Sequence, residues 1–180
     1  MSISITLHRS GTSRTQQVDT TTTGLDLFGS DRAVVAMRVD GNLVDLQREL
    51  HDGAEVEPVE ATSEDGLNII RHSATHVMAQ AVQQLYPEVN LGIGPFITDG
   101  FYYDFGNIEP VTPEVLSEFE KRMKRIVKEN QRFVRRVTTE ESAREELADQ
   151  PYKLELIGTK GKGAEGASVK VGGGERTIYD

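Results

Sequence analysis

The spacing of apolar residues changes near residue 61 of this chain. Before that point apolar and polar residues alternate, as from Ile3 to Leu7, which is the pattern of a half-buried β-strand. From Leu67 to Tyr86 the apolar residues recur every three or four positions, which predicts an amphipathic helix. A strand-rich segment followed by a helical one predicts an α+β protein with two domains, residues 1–61 and residues 62–180.

The first predicted domain contains two hairpins separated by a short helix. Ser10-Gly11 is a turn before a return strand from Thr15 to Thr20, and Asp40-Gly41 is a strong two-residue hairpin signal. The helix spans Thr23 to Phe28, and a last strand spans Glu55 to Val59. Hairpin, helix, hairpin and strand, in that order, predict a small β-grasp, or ubiquitin-like, domain.

Capping and turn signals divide the second domain into further elements. Thr112 followed by Pro113 is a favourable helix start, and Thr138 with Glu141 has the spacing of a capping box. Seven glycines between Gly158 and Gly174 predict a long loop. After the first helix, the predicted elements are strands at Phe96–Thr98 and Gly100–Phe105, a helix from Thr112 to Asn130, a strand at Arg132–Val137, a helix from Thr138 to Ala148, a strand at Pro151–Ile157, a short strand within the loop at Ser168–Val171, and a strand at Glu175–Asp180.

Two of the four histidines, His72 and His76, lie one helical turn apart in the Leu67–Tyr86 segment. At about 100° per residue, both fall away from the apolar stripe and point in the same direction. Thr75 and Ala79 flank the pair, so small side chains surround it. This arrangement favours a pocket that presents two imidazoles.

Three other interpretations of the histidine pair remain open. Each ring could be buried and satisfied by a carbonyl group, or both rings could be solvated. A zinc site is the third, because His-Glu-x-x-His metalloproteases use the same spacing. Ser73 stands where that motif needs its glutamate, and the chain has no cysteine, so we predict no metal site.

Composition excludes several classes of protein. The N-terminus lacks the pattern of a signal peptide, and no apolar segment is long enough to span a membrane. The absence of cysteine is typical of a cytoplasmic protein. A net charge of −9 disfavours a generic nucleic-acid binder. However, residues 121–136 hold eight lysines and arginines and one acid, Glu129, which indicates either a solvated helix face or a track of phosphate contacts.

The segment from Ile70 to Phe105 resembles the editing domain of bacterial threonyl-tRNA synthetases. The resemblance rests on the histidine helix, the Ile93-Gly94-Pro95 turn and the Gly100-Phe101-Tyr102-Tyr103-Asp104 strand, in that order. The first domain is similar to the TGS module at the front of those enzymes. The resemblance therefore implies the N-terminal part of a threonine–tRNA ligase, with a domain that hydrolyses mischarged seryl-tRNA(Thr).

The same resemblance assigns roles to individual residues. It implies His72, His76 and Lys153 as catalytic residues, and Tyr103, Asp180, Gly94 and Pro95 as substrate-binding residues. The basic segment is expected to bind the acceptor arm of tRNA(Thr), which carries serine or threonine. The residues expected to contact that RNA are Lys121, Arg122, Arg125, Lys128 and Arg132.

The family's next segment, Cys-x-x-x-His, is absent, and so is an aminoacylation core. We therefore expect a fragment, monomeric on its own, of a parent that is a homodimer. We expect ATP and zinc only in the missing core, no cofactor in this chain, and little or no activity from the chain alone. Two alternatives stay open: a non-catalytic module that binds RNA or a partner, and a free-standing deacylase that acts on mischarged tRNA.

Overall fold

The computed structural model describes residues 1–131, 133, 135–149, 152, 154 and 176–179. It has an α+β fold, as predicted, and forms two compact units, Met1–Ile70 and Arg71–Asp180. The division falls inside one long helix, whereas the boundary predicted between residues 61 and 62 falls just before that helix begins. None of the helices in the described ranges is long and apolar enough to cross a membrane.

The first unit is built on one mixed sheet of five strands. The strand order is β2-β1-β5-β3-β4, in which β1 and β5 run parallel and every other neighbouring pair is antiparallel. The predicted strands, turns and short helix are confirmed with small shifts of their ends. The elements are β1 (Ser2–Arg9), β2 (Thr12–Asp19), α1 (Gly24–Phe28), β3 (Val34–Val39), β4 (Asn42–Val44) and β5 (Glu55–Glu60).

Alternation along the strands produces the core of this unit. Ile3 and Ile5 of β1 point to one face of the sheet and are buried there with Met37 of β3, Val56 of β5 and Phe28 of α1. The turn residues themselves determine the two hairpin turns, because both turns pass through residues with positive φ angles.

The second unit packs one long helix against a hairpin and a second helix. Its core joins Val82 of α2 to Val89 before the hairpin and Phe119 of α3, with Leu91 and Phe105 of the hairpin packed around them. The elements are α2 (Glu64–Leu85, which starts in the first unit), β6 (Asn90–Leu91), β7 (Phe96–Ile97), β8 (Gly100–Phe101), β9 (Phe105–Gly106), α3 (Pro113–Glu129), β10 (Arg135–Thr138), α4 (Glu140–Glu146) and β11 (Arg176–Tyr179).

The four short strands β6 to β9 form one interrupted antiparallel hairpin. β6 pairs with β9 and β7 pairs with β8. Between these two ladders, the Gly92 amide donates to the Asp104 carbonyl at 2.9 Å and the Asp104 amide donates to the Ile93 carbonyl at 2.9 Å. The single strand predicted for Gly100–Phe105 is therefore two short strands, because Tyr102–Asp104 pair with the glycine- and proline-containing segment without regular ladder geometry.

The apolar stripe predicted for α2 is only partly the buried face. Leu67 and Ile70 belong to that stripe but are 40% and 43% exposed. Thr75, Ala79 and Val82 are buried instead, so the packed face lies nearer to the histidines than expected. Position on a helix predicts which residues share a face, but the elements packed against the helix decide which face is covered.

Four predictions near the end of the chain have different outcomes. Thr138 is the last residue of β10 and pairs with Arg176, so Thr139 caps α4 instead, accepting a hydrogen bond from the Ser142 amide at 3.2 Å. The strand predicted at Pro151–Ile157 is wrong at its described positions, since Tyr152 and Leu154 are helical. The predicted glycine-rich loop at 158–174 lies outside the described residues, while the final strand is confirmed as β11.

Candidate functional site

The two histidines of α2 form a hydrogen-bonded pair. Their ring centroids are 4.9 Å apart, the rings are nearly perpendicular at 88°, and the two Nε2 atoms are 3.3 Å apart. His72 is exposed and His76 is half-buried. In an imidazole–imidazole hydrogen bond one Nε2 donates and the other accepts, so at least one ring must be neutral. The site therefore contains a basic nitrogen next to a proton donor.

The helix backbone at the pair is supported by a buried hydroxyl. Thr75 is 1% exposed, and its Oγ1 donates to the His72 carbonyl at 2.7 Å. A hydrogen bond back to the preceding turn satisfies a polar group that has no access to water. The sequence predicts Thr75 as a small side chain in the wall of a pocket. In the structure Thr75 is instead buried and bonded to the backbone of His72.

Two phenylalanines lie beside the imidazoles, and sequence reasoning did not single them out. Phe96 of β7 has its ring centroid 6.4 Å from that of His72, with the rings at 83°. Phe133, which follows α3, has its ring centroid 5.8 Å from that of His76, with the rings at 58°. Both distances are typical of edge-to-face aromatic contacts. Phe96 could have been noticed because it follows Gly94-Pro95 directly, but no local pattern marks Phe133.

Tyr103 and Gly94 face each other across the hairpin. A Cβ atom placed on Gly94 would lie 2.3 Å from Cδ2 of Tyr103, so the tyrosine ring covers the glycine. The same ring stacks on Phe105 with centroids 4.7 Å apart, and burial raises the pKa of the Tyr103 hydroxyl. Its neighbour Tyr102 is 47% exposed, as expected from its position on the opposite side.

The remaining predicted substrate residue of the hairpin is Pro95. It is half-buried, and its carbonyl accepts a hydrogen bond from the Tyr102 amide at 3.3 Å. Gly94 and Pro95 thus occupy the irregular middle of the hairpin, and Phe96, the next residue, is the one that reaches His72. The structure consequently connects this turn to the histidine pair through Phe96.

Four cations of α3 lie on the side of the helix away from buried Phe119 and Ile126: Lys121, Lys124, Arg125 and Lys128. Arg122 is half-buried at the edge of the buried face. Several of these cations are paired with acids. These i,i+3 and i,i+4 ion pairs are solvent-exposed and therefore weak. Arg122 and Lys128 have no ion-pair partner among the described residues, and Arg132 lies outside them. The pairs on α3 are Lys121 with Glu118 at 2.6 Å, Lys124 with Glu120 at 2.6 Å and Arg125 with Glu129 at 3.3 Å. The acids Glu118 and Glu120 precede residues 121–136, so the net positive charge of α3 is smaller than the count over residues 121–136 indicates.

Two further predicted residues, Lys153 and Asp180, lie outside the described residues. Within the described ranges, no three histidine, aspartate or glutamate side chains are grouped so that they could hold a metal ion. The absence of a metal site in the whole chain stays a prediction.

Comparison with known proteins gives a consistent result. Over 180 residues the chain is 98% identical to the threonine–tRNA ligase of Cutibacterium acnes, covering 100% of this chain and 26% of that protein. It is 58% identical over 180 residues to the threonine–tRNA ligase of Streptomyces avermitilis, covering 99% of this chain and 27% of that protein. For the enzyme of Streptomyces griseus, the identity is 62% over 165 residues, 91% of this chain and 25% of that protein. The chain thus spans about a quarter of the length of these relatives, and no family model matches it.

Proposed function

We propose that this chain, which is homologous to the N-terminal region of threonine–tRNA ligases, provides the part of an aminoacyl-tRNA synthetase that hydrolyses seryl-tRNA(Thr). The observation that carries the proposal is the hydrogen bond between exposed His72 and half-buried His76, which lie on one side of α2. The sequence similarity covers all 180 residues, so it spans the segments of this chain that carry both imidazoles and the hairpin beside them.

A ligase for threonine has a physical need for such a step. Serine lacks one methyl group of threonine, and the loss of one methyl changes binding by only about 1–3 kcal/mol. A synthetic site therefore charges some tRNA with serine. A second pocket that excludes the threonyl methyl group and hydrolyses the seryl ester restores accuracy.

The chemistry is hydrolysis of an ester between serine and the terminal ribose. A neutral imidazole of the His72–His76 pair accepts a proton from water as the water oxygen attacks the carbonyl carbon. The proton then passes to the departing ribose oxygen, which releases serine and intact tRNA. In this proposal the Lys153 ammonium stabilises the developing oxyanion, and the Asp180 carboxylate holds the α-ammonium group. Tyr103, Gly94 and Pro95 form the wall of the seryl pocket.

The proposal also assigns two domains to the chain and places the synthetic sites in the ligase region beyond it. We infer a β-grasp domain of the TGS type for residues 1–61, supported by the parallel β1–β5 pair and the helix between the two hairpins. Residues 62–180 form the editing domain. Sites for ATP, threonine and zinc belong to the ligase region outside this similarity, where the chain's relatives have their other three quarters.

The test uses the ligase of Cutibacterium acnes, with substitutions at the positions that correspond to His72 and His76. His72→Ala and His76→Ala are expected to slow deacylation of seryl-tRNA(Thr) by about 10²–10⁴-fold, the usual contribution of a general base. Formation of threonyl-tRNA should continue at the rate of the unaltered ligase.

His51→Ala is the matched control. His51 is exposed, lies in the first unit and pairs with Asp40 at 3.0 Å. The control should deacylate seryl-tRNA normally. If both histidine variants of α2 also deacylate it normally, the assignment of the site is wrong.

Contact with RNA phosphates is tested by comparing cations that have an acidic partner with cations that have none among the described residues. Replacing Arg122 or Lys128 by glutamine should weaken tRNA binding and lower the slope of log affinity against log salt by about one per lost phosphate contact. Lys121→Gln and Lys124→Gln, which remove cations already paired with acids, should have smaller effects. No loss of affinity and no change of the salt slope in any of the four variants would contradict a phosphate track on α3.

A further inference from the structure

The segment that follows α3 is bonded to the helix that carries the histidines. α3 ends at Glu129, and Asn130 has a left-handed backbone with φ 52°, which turns the chain sharply. Immediately after this turn, Gln131 Oε1 accepts a hydrogen bond from Gln80 Nε2 of α2 at 2.9 Å. Gln131 Nε2 donates in turn to Glu129 Oε2 at 2.8 Å.

This arrangement fixes the orientation of the Gln131 amide. A carboxylate only accepts hydrogen bonds, so the NH₂ group of Gln131 must face Glu129. Its carbonyl oxygen must then face Gln80, where the NH₂ group donates. Glu129 Oε1 also lies 3.3 Å from Arg125 Nε, so four side chains connect the basic face of α3 to α2. The segment is therefore anchored by directional bonds as well as by apolar contact.

The anchored segment meets α2 along the row of the histidines. His72, His76 and Gln80 are spaced four residues apart and so lie on one side of the helix. Gln131 contacts the third member of this row, and Phe133, two residues later, contacts the second through its ring. His76 is thus placed between the His72 ring at 4.9 Å and the Phe133 ring at 5.8 Å.

We propose that Gln131 and Phe133 are positioning residues for His76, which hold its ring at the angle that lets its Nε2 meet the Nε2 of His72. The proposal rests on the proposed function for its effect on hydrolysis, but its structural part is independent. The χ2 torsion of a histidine is broad and has little intrinsic preference, so the groups around the imidazole set its angle. The Phe133 ring occupies one side of that rotation, and the Gln80–Gln131 bond keeps Phe133 in place.

The structural part is tested on this chain by ¹⁵N NMR of the imidazole nitrogens, with His72→Ala and His76→Ala used to assign the signals. In the unaltered protein the two rings are expected to show different, fixed tautomers, because one Nε2 donates and the other accepts. Phe133→Ala should make the His76 pattern an average of tautomers, and Phe133→Tyr, which keeps the ring, should restore it. Gln80→Ala and Gln131→Ala should each have a weaker effect of the same kind, and the double variant should add little to either.

Val137→Ala is the matched control, because Val137 is also an exposed apolar residue, at 58% exposure, but lies in β10 and pairs there with Thr177. It should leave the imidazole signals unchanged. Unaltered histidine signals in Phe133→Ala, or equal changes in Val137→Ala, would overturn the proposal.

The functional part is tested by the corresponding variants of the Cutibacterium acnes ligase. Phe133→Ala should lower kcat for seryl-tRNA hydrolysis by about tenfold to a hundredfold with KM nearly unchanged, since misplacing a catalytic group impairs the reaction more than binding. Normal hydrolysis in Phe133→Ala together with slow hydrolysis in His76→Ala would reject the positioning role and leave the proposed function intact. Normal hydrolysis in both His72→Ala and His76→Ala would reject the proposed function, and the NMR result would still decide the positioning role.

Discussion

The two units differ in how continuously their strands are paired. In the first unit β1 and β2 form an unbroken register of eight residue pairs, and the core side chains Ile5, Met37 and Val56 have 0% exposure. In the second unit the hairpin from Asn90 to Gly106 has four strands of two residues each, and its aromatic side chains are mostly half-buried. The first unit thus has a regular sheet over a fully buried core, whereas the middle of the hairpin in the second unit is held by irregular backbone hydrogen bonds.

The histidines show the same contrast. In the first unit, His8 contacts the Ser13 hydroxyl at 2.9 Å and His51 contacts Asp40 at 3.0 Å. His8 meets a hydroxyl of its own hairpin, and His51 meets a carboxylate in the turn between β3 and β4. In the second unit, His72 and His76 meet each other, which places two titratable rings together where a reaction could use them. The histidines of the two units therefore differ in the groups that their rings contact, although the residue type is the same.

The largest effect should come from the core of the first unit. Phe28 is 2% exposed and is packed within the core, so Phe28→Ala should lower the free energy of unfolding by about 3–5 kcal/mol. Leu25→Ala in the same helix is the control, because Leu25 is 37% exposed and should cost much less. Urea unfolding followed by circular dichroism measures both. Similar losses in the two variants would show that this unit lacks the single tight core that distinguishes it from the hairpin.

Sequence patterns predicted the first unit more completely than the second. Alternation and the turns at Ser10-Gly11 and Asp40-Gly41 are local signals, and they define its strands almost to the residue. In the second unit the histidine spacing correctly predicted two rings on one side of α2. It did not predict Phe133, because the contact with His76 depends on how the chain turns after α3. Contacts between segments that are distant in sequence depend on tertiary packing, and short-range periodicity carries no information about that packing.

The second largest effect should come from the irregular middle of the hairpin. A Cβ on Gly94 would lie 2.3 Å from Cδ2 of Tyr103, whereas a Cβ on Gly100 in the same hairpin would meet nothing within 4 Å. Gly94→Ala must therefore displace the Tyr103 ring, and it should cost about 1–3 kcal/mol of stability, as overpacking usually does. Gly100→Ala should be nearly neutral.

Thermal unfolding and near-ultraviolet circular dichroism of the tyrosines measure the two glycine variants side by side. If Gly94→Ala leaves both signals unchanged, the hairpin is loose enough to absorb a methyl group. The contrast between an irregular but specifically packed hairpin and the regular sheet would then fail. A loss confined to Gly94→Ala would show that the interrupted segment is packed as specifically as the sheet, with far fewer paired residues.

The smallest effect concerns the titration of Tyr103. Burial raises the pKa of this hydroxyl above its ordinary value of 10.0, so the folded protein keeps the proton at a pH where the unfolded chain has begun to lose it. The contribution of this group to stability is therefore complete below about pH 10 and is lost as the pH rises through the folded-state pKa. Tyr103→Phe should remove that part of the alkaline loss of stability while changing little near neutral pH.

Urea unfolding on either side of pH 10 measures the difference, with Tyr102→Phe as the control for removing a hydroxyl from an exposed position in the hairpin. An identical alkaline loss in Tyr103→Phe and the unaltered protein would mean that the ring over Gly94 is open to water, and the hairpin would then lack the packed wall that a seryl pocket needs.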